Sequence, residues 1–137
     1  MATNKKIRWG WIKGMYIYTI VVAGLFGLGM IVVPETIKST FTWPVEEPVA
    51  FGIIGSIYVA CGLLSILGLR SPLKFTPVFL MQLFYKSVWF IGVALPLWVS
   101  GHFPSYAIPT VILFATFIVG DLMAIPFSHV FAKESDQ

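Results

Sequence analysis

Four apolar runs, each about the length needed to cross a bilayer, dominate this chain, and nearly all of its formal charges fall between or outside them. A hydrocarbon core about 30 Å thick takes about 20 helical residues, whereas barrel strands need only about 10 residues of alternating polarity, so runs of this length read as helices. The fold class that follows is all-α: a polytopic membrane protein built as a four-transmembrane-helix bundle. Of the 137 residues, 58% are hydrophobic and only 11% are charged, against about 25% charged in soluble domains. Four spans and their loops use up nearly the whole length, so residues 1–137 read as a single membrane domain with no room for a soluble catalytic one.

The expected helices cover about 11–33, 49–69, 75–98 and 106–131. Pro34-Glu35 closes the first, Arg70-Ser71-Pro72 follows the second, Pro96 falls in the last turn of the third, and the fourth is expected to run past Pro126 toward Phe131. A polar loop with Lys38, Trp43, Glu46 and Glu47 separates the first two. Lys5, Lys6, Arg8, Lys13, Arg70, Lys74 and Lys133 fall on one side and Lys38 on the other, which by the positive-inside rule places both termini in the cytoplasm. The net charge of +3 is therefore a matter of topology, and no nucleic-acid partner is expected. The first run exceeds a signal-peptide core and lacks a small-residue cleavage site, so it reads as a retained helix. Cys61, the single cysteine, lies inside the second run and has no partner for a disulfide or a CxxC pair.

Two charges break the pattern: Lys86 and Asp121 lie within the third and fourth runs. A charge near the bilayer centre costs about 2.5–3.5 kcal/mol on insertion scales, so each needs a partner, water or a task. At 1.5 Å rise per residue Lys86 lies about 16 Å from the inner end of its helix, and Asp121 about 15 Å if the fourth helix stays regular past Pro126. Equal depth on adjacent helices predicts a Lys86–Asp121 ion pair facing the interior. Such a pair fixes helix register, or forms the polar centre of a ligand or ion site; the remaining alternative is no contact, with Lys86 snorkelling to an interface. Gln82, Tyr85 and Trp89 cluster beside Lys86, and with Tyr16, Tyr18, Thr19, Ser56, Tyr58 and Ser65 they line a mixed aromatic and polar cavity or simply bond between helices. The ligand-binding candidates are accordingly Lys86, Asp121, Gln82, Tyr85 and Trp89.

His129, two turns beyond Asp121 on a continuous helix, is a proton-relay candidate, its alternative being an ordinary interfacial histidine. His102 is too distant to share a haem or metal with it. Gly52, Ser56 and Ala60 form a small-residue row on the second helix, and Gly24 and Gly27 crowd the first, which permits close helix approach. Glu46-Glu47, between prolines, read as a solvated acidic turn, so no metal site is expected. Nucleophile, phosphate-loop and dinucleotide motifs are missing, so no catalytic residue is assigned and an independent enzyme is the least expected reading.

The basic entry, the Val33-Pro34-Glu35 exit, the glycines Gly52, Gly55, Gly62 and Gly68 of the second helix and the Arg70-Ser71-Pro72 turn, over about Gly10 to Pro96, resemble the DoxX-like group of small bacterial four-helix membrane proteins. The resemblance implies a bacterial inner-membrane location and a link to quinone-dependent oxidoreductases; it carries no quinone or redox residue onto this chain, and Lys86 and Asp121 have no counterpart in it. The expected function is binding of a lipophilic small molecule, quinone or lipid-like, or service as a membrane subunit of a redox assembly. The alternatives are a small proton-coupled transporter or channel working as a dimer, and a structural or assembly subunit of a larger membrane complex. Expected partners are the lipid bilayer and either further copies of the chain or a larger complex.

Overall fold

The computed structural model describes residues 7–44 and 47–133; Lys5, Lys6, Glu46 and the tail from residue 134 lie outside the described residues. Every regular element among the described residues is helical. Four are long and apolar enough to span a membrane: α1 (Trp9–Val32), α3 (Pro48–Arg70), α4 (Pro77–Val99) and α5 (Ser105–Ala124). Two short helices complete the described residues, α2 (Pro34–Thr40) and α6 (Phe127–Val130).

Prolines set the helix starts. Pro34, Pro48 and Pro77 each sit in a first turn, where the missing N–H costs nothing. Before Pro48, the Glu47 carboxylate accepts from the backbone N–H groups of Val49 (3.2 Å) and Ala50 (3.0 Å). Glu47 is thus a helix cap. Between α1 and α3 the expected loop contains a helix, because Pro34 restarts the coil that Val33 breaks. Lys38 on α2 is buried at 6% exposure, 3.8 Å from Glu35 and over the Phe51 ring.

The fourth span ends sooner than the sequence suggests. Ile125 is extended (φ −67°, ψ 122°) because a residue before proline is pushed out of the helical region, and Pro126 can donate no bond to the turn before it. Helix α5 therefore stops at Ala124, and α6 is a separate turn. In α4, by contrast, Pro96 is absorbed: a wide π-helical stretch at Phe90–Ala94 precedes it, loosening the turn its ring would strike. A second π stretch lies in α1 at Thr19–Gly24.

The bundle is a ring in the order α3, α1, α5, α4, with α3 and α4 approaching each other least. The α1–α3 seam is the tightest. A Cβ placed on Gly27 would stand 2.6 Å from the Gly55 carbonyl oxygen and 2.6 Å from the Tyr58 Cβ, and one on Gly62 would stand 2.8 Å from the Gly24 Cα. Farther along, the Tyr16 ring lies in the space over Gly68. The packing row on α3 is therefore Gly55, Gly62 and Gly68; Gly52 meets nothing within 4 Å, and Ser56 and Ala60 face outward. Helix ends are tied at one face of the bundle. The Tyr16 hydroxyl donates to the Pro72 carbonyl (2.6 Å), and Arg8 Nη1 donates to the Met123 carbonyl (3.2 Å), capping α5. The start of α1, the α3–α4 turn and the end of α5 thus share that face, with Lys38, Trp43 and Trp98 toward the other.

Because the atoms around Gly27 are backbone and a Cβ, none can swing aside. Gly27→Ala is expected to destabilise the bundle by about 1–3 kcal/mol, whereas Gly52→Ala should stay within about 0.5 kcal/mol. Unfolding of both variants by a denaturing detergent titration checks the difference.

Candidate functional site

Polar side chains buried in the bundle come from every spanning helix: Thr19 of α1, Ser65 of α3, Gln82 and Lys86 of α4, and Asp121 of α5. Contacts between the helices fix their relative levels. Tyr16 rests on Gly68, and its ring lies 4.4 Å from that of Phe79. Thr19 follows Tyr16 by three residues, Ser65 precedes Gly68 by three on a descending helix, and Gln82 follows Phe79 by three. All three therefore stand about 4.5 Å above that contact, in one layer.

Lys86 lies one turn farther up α4 but returns to this layer. A helical side chain leans toward its helix N-terminus, and the Lys86 ammonium accordingly donates to Gln82 Oε1 (3.1 Å) and to the Tyr85 hydroxyl (3.1 Å). Three rings surround it, with centroids at 4.5 Å (Tyr85), 5.3 Å (Phe114) and 4.1 Å (Phe117). At 1% exposure the charge is fully withdrawn from the bilayer. A desolvated cation held by ring quadrupoles gains about 2 kcal/mol or more, which offsets part of the cost of burial. Phe114, Phe117 and Asp121 recur at helical spacing, so one face of α5 supplies both cage and carboxylate.

Asp121 is 0% exposed and neither of its oxygens accepts a hydrogen bond. It occupies the last turn of α5, three residues from Ala124, so its Cα lies about 4.5 Å from the helix end, far short of the depth expected from a helix running to Phe131. The direct Lys86–Asp121 ion pair is not formed: no nitrogen-to-oxygen approach within 4.0 Å joins them. Asp121 lies one turn below Phe117 on α5, while the Lys86 ammonium is held at the level of Phe117 and Gln82. The two opposite formal charges nonetheless share the buried interior without direct contact. Asp121 leans upward on its descending helix as Lys86 leans downward on its ascending one, so both point toward the same layer.

Among the described residues, the buried side-chain atoms without a hydrogen-bond partner are Thr19 Oγ1, Ser65 Oγ, Gln82 Nε2 and both Asp121 oxygens. They form complementary sets. Two hydroxyls and an amide can donate, a carboxylate can accept, and the two sets do not reach each other. Each such atom, left alone, costs about 1–3 kcal/mol.

Of the residues singled out in the sequence, Gln82 and Tyr85 each contact Lys86, and Asp121 is buried in the same interior. Trp89 joins only through Phe114, 5.2 Å between ring centroids. Tyr58, from α3, approaches the Tyr85 hydroxyl across the wide α3–α4 seam. Tyr18 instead bonds Thr116 (2.7 Å) on the lipid-facing side, and Ser56 bonds the carbonyl of its own helix at Gly52 (2.8 Å). His129 is exposed on α6, and the same-face relation to Asp121 that made it a relay candidate depends on a continuous helix, which ends at Ala124. The aromatic cage is the feature sequence reasoning passed over; the signal for it was the Phe114-Phe117-Asp121 spacing on a helix expected to face Lys86.

The electrostatic link between Lys86 and Asp121 is open to a double-mutant cycle. Lys86→Met and Asp121→Asn should each destabilise the bundle, and the double variant should be more stable than the sum of the two by about 1 kcal/mol. Steric-trap or detergent unfolding of the four proteins measures this coupling. Compared with known protein families, curated proteins and solved structures, the chain matches none of them.

Proposed function

We propose that this integral membrane protein binds a lipophilic small molecule, quinone or lipid-like, whose polar head enters the layer formed by Asp121, Gln82, Thr19 and Ser65 beneath the caged Lys86. The observation that carries this reading is the set of buried donors and acceptors without protein partners, contributed by all the spanning helices at neighbouring levels. A structural polar network closes on itself; this one is left open on complementary sides.

In this reading Gln82 has a divided role. Its Oε1 accepts from Lys86, which fixes the amide plane and turns Nε2 away toward the layer, where it donates to a ligand carbonyl or hydroxyl oxygen. Asp121 accepts from a ligand hydroxyl, and Lys86 supplies positive potential without itself being surrendered by its cage. Trp89 and Tyr85 position the cage through Phe114. A quinone-type ligand would bring the electron chemistry, with this chain holding its head and a partner protein in a redox assembly supplying or taking the electrons. The DoxX-like resemblance and the bacterial inner-membrane setting with cytoplasmic termini belong to the same proposal.

One observation favours a second reading. A carboxyl fully buried with both oxygens unpartnered is what a proton-coupled carrier needs at its binding site, and a bundle of this size would perform such transport as a dimer. Proteoliposome flux driven by a pH gradient and abolished by Asp121→Asn would favour the carrier.

For the first reading, solvent extraction of the purified protein and mass spectrometry should find one apolar species enriched over bulk phospholipid. Lys86→Met and Gln82→Leu should reduce its occupancy by about tenfold, the equivalent of about 1.4 kcal/mol. Bulk phospholipid alone, at a ratio unchanged by either substitution, would count against a specific ligand.

A further inference from the structure

A lipid-facing groove of about 510 Å³ runs along the α1–α5 seam, lined by Trp11, Met15, Tyr18, Thr116, Val119 and Gly120. The seam is pinned on both sides of its middle. Toward one end the Tyr18 hydroxyl and Thr116 Oγ1 share a hydrogen bond of 2.7 Å; toward the other, Arg8 Nη1 holds the Met123 carbonyl at 3.2 Å. Between those two ties stands Met15, 5% exposed, its thioether seated in the space over Gly120 that a Cβ would fill.

Both neighbours of that contact lead to the polar layer. Gly120 precedes Asp121, whose buried oxygens have no partner, and Met15 precedes Thr19 by one turn on the same stripe of α1. Met15 therefore stands between the groove and the Thr19 and Asp121 side of the interior. An unbranched thioether changes rotamer without moving its helix, and the glycine opposite offers no side chain to lock it. The pinned ends keep the seam from splaying while Met15 moves.

We propose that Asp121 is reached sideways from the bilayer through this groove, with Met15 as the movable wall, and that the occupant is an uncharged single-chain amphiphile whose head both donates and accepts a hydrogen bond. The inference rests on the reading of the polar layer as a head-group site. The head is uncharged because its path is apolar, and a charge crossing it would meet the insertion cost that keeps ions out of the hydrocarbon. It both donates and accepts because Asp121 lacks a donor while Thr19, Ser65 and Gln82 Nε2 lack acceptors. One tail matches a groove that follows one seam between two helices.

The route is tested with carbodiimides on the full chain in lipid nanodiscs at mildly acidic pH. The carboxylic acid O–H adds across a carbodiimide C=N bond to an O-acylisourea, which rearranges to a stable N-acylurea with no group lost, so peptide mass spectrometry locates it. Lipid-soluble dicyclohexylcarbodiimide should label Asp121, and a water-soluble cationic carbodiimide should do so at least about tenfold more slowly. Met15→Ala should speed labelling several-fold, and Ala115→Trp, an outward-facing substitution that fills the groove without entering the core, should slow it several-fold. Failure of the lipid-soluble reagent to label Asp121, equal rates for the two reagents, or rates unmoved by both substitutions overturns the route. Labelling that follows the expected pattern in a protein from which no specific ligand can be extracted leaves the route standing and removes the ligand reading; an extracted ligand with groove-insensitive labelling does the reverse.

Discussion

An ammonium group cannot be left in hydrocarbon, and the housing of Lys86 determines much of the rest of this bundle. Three aromatic rings, a glutamine oxygen and a tyrosine hydroxyl surround it, drawn from α4 and α5. Assembling them holds α4 and α5 in register, because Phe114 and Phe117 must face Tyr85 and Lys86 at one level. It also holds α3 and α4 apart, since Tyr58 and Tyr85 fill that seam with rings where α1 and α3 meet through glycines. The bundle is thus asymmetric by chemistry. One seam, α1–α3, is closed backbone to backbone, where association without a hydrophobic drive relies on close packing, and the neighbouring α3–α4 seam is the widest of the ring.

That asymmetry gives the interior its unfinished character. Thr19 and Ser65 come from the two closely packed helices and Gln82 and Asp121 from the other two, and the four are buried in the interior without satisfying one another. Lys86 takes the one strong acceptor on α4, Gln82 Oε1, and so leaves the amide nitrogen and the carboxylate each without a match. Cation housing and open polar layer are two aspects of one arrangement.

The parts of this structure legible in the sequence are those set by bilayer thickness and by proline at helix starts. Spans of about 20 apolar residues were bound to be helices, and the notable residues Lys86, Asp121, Gln82 and Tyr85 were visible because polar side chains stand out in such runs. Less legible was whatever depended on a local backbone choice. Pro96 and Pro126 look alike in sequence, yet one is absorbed by a π stretch and the other ends a helix, and the depth of Asp121 turned on that difference. The small-residue rows were similarly ambiguous: Gly52, Ser56 and Ala60 share one stripe of α3, Gly55 and Gly62 another, and only the position of α1 decides which is buried. A cage of Phe114 and Phe117 was hidden because phenylalanine is the expected residue in a membrane span, whatever it faces.

The position of Asp121 is the least economical feature if its role were only to hold the helices together. In the final turn of α5 a carboxylate faces the negative end of the helix dipole, where cations are favoured and anions are not. Arg8 relieves the end of the helix by capping the Met123 carbonyl, but it does so from the exposed side and makes no contact with the Asp121 carboxylate. Helix registry could be fixed by Lys86 and its cage alone, since Phe117 and Phe114 already carry that contact to α5. A carboxyl kept at such a place, buried and without a protein partner, is not accounted for by the packing of the helices around it.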